Sequence, residues 1–197
     1  MRYEQEQTGD IFSAHRASWA DACAVESKGR QRVDPFLRQI SHQGRVVWTS
    51  KGRLSAWLQR TVGDVIMNTS PDAVVAIELK TERKHTGNLF IETWSNKSRH
   101  KPGWLWTLNT DLLCYYFLDT DRMYFVDFHR LKGWLSSQHD GGGCVGERFA
   151  EKRAGRKQLN DTWGRCVPLS AIAREGPGYH TVSILQLEMF DEAWGAR

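Results

Sequence analysis

Three carboxylates in the first half of the chain have the residue types and spacing of a cation site. Asp64, Glu78 and Glu92 are evenly spaced, and each lies in or beside a short apolar segment. Lys80 shares the face of Glu78 if that segment is a strand, because side chains alternate along a strand. Like charges that face each other on a sheet are destabilising. A bound cation is the simplest explanation for placing three carboxylates in one row.

Two predicted hairpins bring these carboxylates together. Three segments have the composition and bounding turn residues of strands: Gly63–Asn68, Val74–Thr81 and Asn88–Trp94. Folding the first two about Pro71 places Asp64 opposite Glu78, about 5 Å away between Cβ atoms. Folding the last two about His85 places Glu92 opposite Glu78 as well. The sequence therefore predicts one carboxylate row on neighbouring strands.

Asp72 is a less suitable partner for Glu78, although it forms the motif Pro71-Asp72. Six residues of one extended run separate Asp72 from Glu78, which is roughly 20 Å and too far for one metal. Glu78 and Lys80 lie within an apolar strand, where charges are costly unless paired or metal-bound. The alternative is an exposed edge strand that carries a Glu–Lys ion pair.

Asp64, Glu78-Leu-Lys80 and the hairpin between them resemble the PD-(D/E)XK nuclease superfamily. Residues 58–64, 86–92 and 159–165 are similar to segments of phage and bacterial proteins of that type. The resemblance implies an α/β fold with a mixed β-sheet flanked by helices, restriction-endonuclease-like. It also implies a Mg²⁺-dependent phosphodiesterase in which Asp64 and Glu78 bind metal. Lys80 would orient or activate water, or stabilise charge developing at phosphorus.

The chain departs from the superfamily pattern in one respect, because no upstream helical glutamate is evident. Asp21 and Glu26 lie on a predicted helix and are interpreted as solvated charges, with a contribution to the site as the alternative. Glu92 is predicted as a further metal ligand from the hairpin geometry.

The favoured function is therefore a DNA endonuclease that uses Mg²⁺, with Mn²⁺ as an alternative ion. The catalytic residues would be Asp64, Glu78 and Lys80, and the metal ligands Asp64, Glu78 and Glu92. A non-catalytic nucleic-acid-binding protein and a phage assembly protein remain as alternatives on the same fold. The choice between DNA and RNA, and between a monomer and a homodimer, stays open.

Two basic loops flank the carboxylate row. Basic side chains beside a metal site suit a phosphate backbone, although loop solubility also explains them. The predicted nucleic-acid contacts are Arg83, Lys84, Lys97, Arg99 and Lys101.

Length, charge and cysteine content indicate the general class of the protein. Its 197 residues suit a single domain, 1–197, and 27 basic against 23 acidic residues give a net charge of +4. No stretch is apolar enough to span a bilayer and no secretory signal is evident. The four scattered cysteines favour reduced thiols, and zinc held by Cys144, Cys166 and His139 is a minor alternative. We expect a cytoplasmic protein of a bacterial host cell, with a phage gene as one origin.

The remaining pattern predicts the elements around the site. Helices are expected at Asp10–Ser27, ended by Gly29, and at 34–40 and 129–137, whereas 52–60 is interpreted as a helix or a loop and 169–174 as a segment that could be helical. Strands are expected at 45–49, 112–118 and 123–128, residues 181–187 are expected as a strand or an extended segment, and residues 160–168 as a loop.

Overall fold

The computed structural model describes residues 3–50, 55–154 and 161–183. The α-helices in these ranges are α1 (Tyr3–Ile40), α2 (Ser55–Thr61), α3 (Trp104–Thr107), α4 (Phe128–Ser136) and α5 (Leu169–Arg174). The strands are β1 (Val46–Trp48), β2 (Val65–Ser70), β3 (Ala73–Glu82), β4 (Asn88–Asn96), β5 (Lys101–Pro102), β6 (Leu112–Phe117), β7 (Arg122–Asp127), β8 (Glu151–Arg153), β9 (Trp163–Pro168) and β10 (His180–Ser183). Two 3₁₀ turns, His42–Gly44 and Val145–Arg148, complete the elements.

The larger sheet carries the predicted β2–β3 hairpin. Its strand order is β1-β2-β3-β6-β7-β10, and every pair is antiparallel except β3 with β6. Val65 pairs with Ile77, so the predicted register is confirmed and Asp64 lies opposite Glu78. The mixed sheet and the surrounding helices confirm the α/β class.

The second predicted hairpin is wrong, because β4 does not pair with β3. It belongs to a smaller sheet with the order β5-β4-β9-β8, and the other neighbour of β3 is β6. The segment Leu112–Phe117 is apolar throughout and largely buried, as expected of a central strand covered on both faces. The predicted loop at 160–168 is also wrong, since Trp163–Pro168 forms β9 against β4.

One long helix covers one face of the larger sheet, where two helices were predicted. It continues through Gly29 and Pro35 to Ile40. Gly29 lies against Thr81 of β3, where an added Cβ would be 1.9 Å from the threonine Oγ1. The glycine therefore permits close approach of helix and sheet instead of ending the helix. Val33 of this helix is fully buried in the cluster formed with that face of the sheet.

The opposite face of the larger sheet meets the smaller sheet and α4. Leu89 and Ile91 of β4 are buried in one cluster with Leu113 and Tyr115 of β6. The β6–β7 hairpin, α4 and α5 form where they were predicted. The last predicted strand is seen as His180–Ser183, and residues 184–187 lie outside the described part.

The described residues include no helix of the length and apolarity that crossing a membrane requires.

Candidate active site

The centre of the site is a pair of carboxylates held across the β2–β3 hairpin. The backbone N–H of Asp64 donates to the Ile77 carbonyl at 3.0 Å, and its side-chain Oδ2 accepts from the Leu79 N–H at 3.0 Å. These two bonds fix Asp64 at the beginning of β2, beside β3. Glu78 is only 5% exposed. The hairpin therefore fixes a buried glutamate beside an aspartate whose carboxylate is anchored to the backbone.

Lys80 completes this centre from the same face of β3. Its Nζ lies 2.5 Å from Glu78 Oε1, and about one third of its side chain is exposed. The ammonium also lies 5.4 Å from the centre of the Trp104 ring, a distance at which a cation is attracted to an aromatic face. A cation that is close to a buried carboxylate and still reaches solvent can contact an anionic substrate.

Burial and mutual repulsion set the protonation of this centre. Burial raises the pKa of Glu78, and the charge of Asp64 raises it further, against the opposing effect of Lys80. Burial likewise raises the pKa of Asp64. For Lys80, burial opposes the charged form, but the surrounding carboxylates outweigh it and raise the pKa of the amine. The lysine is therefore protonated at neutral pH, while the carboxylates hold their protons more readily than free ones do.

Glu92 lies near this centre, but it does so from a strand of the smaller sheet and not from a hairpin with β3. Ile77 and Leu79 face α1, so the alternation along β3 turns Glu78 and Lys80 toward the smaller sheet. The charge of Glu92, on β4 of that sheet, is one of those that raise the pKa of Lys80.

Glu92 is held in place by the beginning of α3. Its Oε1 accepts from the Trp104 N–H at 3.3 Å, while burial raises its pKa. Gly103 lies against the Glu92 backbone, where an added Cβ would be 2.5 Å from the carbonyl oxygen. Within the described ranges no three His, Cys, Asp or Glu side chains form a group that could hold a metal. Metal ligation by Glu92 therefore stays a prediction, and its direct pairing with Glu78 across a hairpin is wrong.

The long helix contributes Arg30, which was not predicted as part of the site, and Glu26, for which a contribution to the site was the alternative prediction. Glu26 and Arg30 line a cavity of about 20 Å³ together with Asp64, which is room for about one water molecule. The charge of Glu26 also contributes to the raised pKa of Glu78. Glu26 is also exposed, which agrees with the favoured interpretation of a solvated helix charge. Its seven-residue spacing from the buried Val33 was the available signal, because that spacing places both on one helix face.

The predicted nucleic-acid contacts fall into two groups. Arg83 forms an ion pair with Asp21 of α1, and Lys97 forms one with Glu151 at 2.6 Å. The other three are exposed and form no ion pair with the residues that the structure describes: Lys84, Arg99 and Lys101. These three have the most freedom to meet a phosphate.

The cysteines give no support to a zinc site. All four are free thiols, but among the described residues no three His, Cys, Asp or Glu side chains form a group that could hold a metal. Cys144 and Cys166 line two different cavities.

Comparisons of the chain with protein-family models, with curated proteins and with solved structures found no match.

Proposed function

We propose that this chain is a metal-dependent nuclease that hydrolyses phosphodiester bonds in DNA, on a core of the restriction-endonuclease-like type. The observation that supports the proposal best is the grouping of Asp64, Glu78 and Lys80 on the β2–β3 hairpin. Two opposed carboxylates with raised pKa values and a protonated lysine lie within one small region. Perturbed ionisable groups of this kind concentrate at functional sites.

The donor set fits Mg²⁺, with Mn²⁺ as an alternative. Mg²⁺ binds oxygen ligands, commonly one or two carboxylates, and retains several water molecules. Asp64 and Glu78 would hold the ion, and Glu92 is a candidate for a third contact. When bound, such an ion polarises the phosphoryl oxygens and lowers the pKa of a coordinated water.

The protein side chains supply the remaining steps. Lys80 would place its ammonium against the phosphate and stabilise the negative charge that develops there. Trp104 and Glu92 would hold that ammonium in position through the ring contact and the opposite charge. As a ligand of the ion, Glu78 would be deprotonated, because the positive charge of the ion would offset the burial that raises the pKa of this carboxyl in the metal-free protein.

Cleavage assays with a matched pair of aspartate variants test the proposal. Linear, circular, branched and single-stranded DNA are incubated with Mg²⁺ or Mn²⁺, and products are resolved on gels. Asp64→Asn should reduce cleavage by about 100-fold or more. Asp72→Asn should leave the rate unchanged, because Asp72 is exposed in the turn.

A non-catalytic nucleic-acid-binding protein would bind DNA with salt-dependent affinity but show no metal-dependent cleavage in any of these assays. Equal activity of both variants would contradict the proposed metal site.

A further inference from the structure

A separate cavity lies beside the basic loop 97–101 and is lined by two tryptophans. Its volume is about 190 Å³, and Trp94 and Trp106 line it together with the aliphatic side chains of Ile91, Leu105 and Leu135. Trp106 is 43% exposed, so an indole is available at the mouth of the cavity. The exposed indole and the apolar walls favour a planar, weakly polar group as the ligand.

The size of the cavity limits that ligand to one small ring system. Pockets that enclose drug-sized molecules measure about 300–1,000 Å³. A cavity of about 190 Å³ corresponds to about six water molecules at liquid density. A single nucleobase suits this space, whereas a stacked base pair of a continuous duplex does not.

The charged residues at the rim are already paired within the protein. Glu151 accepts from Lys97 Nζ at 2.6 Å, Arg165 donates to the Phe149 carbonyl at 3.0 Å, and Glu147 accepts from the Cys144 N–H at 3.2 Å. They therefore do not require an ionic ligand inside the cavity.

The neighbouring loop supplies positive charge for a phosphate backbone. His100 contacts the Trp94 ring edge-on, with centroids 6.2 Å apart, which places the loop beside this wall of the cavity. Arg99 and Lys101, on either side of His100, are exposed. Proteins that bind single-stranded nucleic acids combine aromatic side chains, on which the bases stack, with basic side chains that contact the phosphate backbone.

Helix α3 connects the cavity with the candidate active site. Trp104 contacts the Lys80 ammonium, and Trp106, two residues later on the same short helix, lines the cavity. Side chains two positions apart on a helix do not face each other, so the Lys80 centre and the cavity lie on different sides of α3.

We propose that this tryptophan cavity binds one unpaired base of the nucleic-acid strand, so that the substrate is DNA with unpaired nucleotides. The inference rests on the proposed nuclease function, which it deepens by naming the substrate class. Base–aromatic stacking typically changes affinity by about 5- to 150-fold per base on removal of the aromatic ring.

Binding measurements with a matched tryptophan control test the cavity. A fluorescently labelled ten-nucleotide single strand is titrated with protein in EDTA, so that binding is measured without cleavage. Trp106→Ala should weaken binding about 5- to 150-fold, and Trp106→Phe should retain most of the affinity. Trp57→Ala should change it less than twofold, because Trp57 is also exposed, at 57%, but does not line the cavity.

Changing the ligand separates stacking from backbone attraction while leaving the protein intact. An abasic strand with the same number of phosphates should bind wild-type protein as weakly as the normal strand binds Trp106→Ala. Equal affinities of wild type and Trp106→Ala, equal losses in the Trp57 and Trp106 variants, or equal binding of the abasic strand would each overturn the inference. Tryptophan-dependent binding without metal-dependent cleavage would support the cavity and contradict the nuclease proposal.

Discussion

Replacing Gly29 by alanine tests the packing that brings the long helix to the site. Gly29 lies inside α1, where alanine has the higher helix propensity by about 1 kcal/mol. The added Cβ would however lie 1.9 Å, 2.6 Å and 2.7 Å from three side-chain atoms of Thr81. The nearest three atoms include the threonine Cβ itself, so rotating this β-branched side chain does not remove the overlap. The helix must therefore move away from β3.

The gain in helix propensity and the loss from overpacking oppose each other, and their relative magnitudes decide whether Gly29→Ala raises or lowers the free energy of unfolding. Overpacking of this kind costs about 1–3 kcal/mol, and three distances below 3 Å place Gly29→Ala at the upper end. After subtraction of the propensity gain of about 1 kcal/mol, the expected loss of unfolding free energy is about 2 kcal/mol.

Gly133 in α4 provides the matched control. An added Cβ there meets nothing within 4 Å, so Gly133→Ala should raise stability by about 1 kcal/mol. With a urea slope near 2 kcal/mol/M, the unfolding midpoints of the two variants should differ by about 1.5 M. Urea titrations followed by tryptophan fluorescence measure this. If both variants are stabilised alike, the helix does not lie this close to β3, and the placement of Glu26 beside Asp64 loses its support.

Four further perturbations test the candidate site and its surroundings. Lys80→Ala should lower the cleavage rate about 100-fold or more while calorimetry finds Mg²⁺ binding retained, and a wild-type rate would contradict the assigned role. Burial raises the pKa of Glu78, so in the metal-free protein the protonated Glu78 contributes fully to stability below the pKa of a free glutamate, and this contribution is lost as pH rises through the raised pKa. The affinity for Mg²⁺ should show the opposite trend and fall as pH falls through the raised pKa of Glu78. A calorimetric Mg²⁺ affinity that does not change with pH would refute this prediction. Glu92→Gln removes a charge that raises the pKa of Lys80, so NMR titration should find the pKa of Lys80 lowered. An unchanged pKa would show that Glu92 and Lys80 do not interact. Neutralising Arg99 and Lys101 together should reduce the slope of log affinity against log salt by about 0.7 per lost contact with a single strand, and equal slopes would place the loop away from the substrate.

The central part of the site could be predicted because it is local in sequence. The turn at 69–72 and the flanking β-branched residues define both the hairpin and its register. That register alone brings Asp64 to Glu78, and alternation along the strand adds Lys80.

The origin of the Glu92 placement could not be predicted, because it depends on pairing between distant segments. The short connection between β3 and β4 suggested a hairpin, but the pairing of β4 depends on the burial of its apolar side chains against segments that are distant in sequence. Leu89 and Ile91 are both fully buried in one cluster with residues of the larger sheet, and β4 pairs with β9, a segment that was predicted as a loop. Local propensity also misled at Gly29, where close helix–sheet packing outweighs the helix-breaking tendency of glycine.

The pairing of β4 with β9 has a consequence for how the site assembles during synthesis. The β2–β3 hairpin closes a short loop, so Asp64 and Glu78 can meet as soon as this part of the nascent chain has left the ribosome. β9 follows only after β6, β7 and α4 have been made, and closing so long a loop is slower. We expect the Asp64–Glu78 pair to form on the nascent chain, and Glu92 to be fixed beside Lys80 only once β9 has emerged.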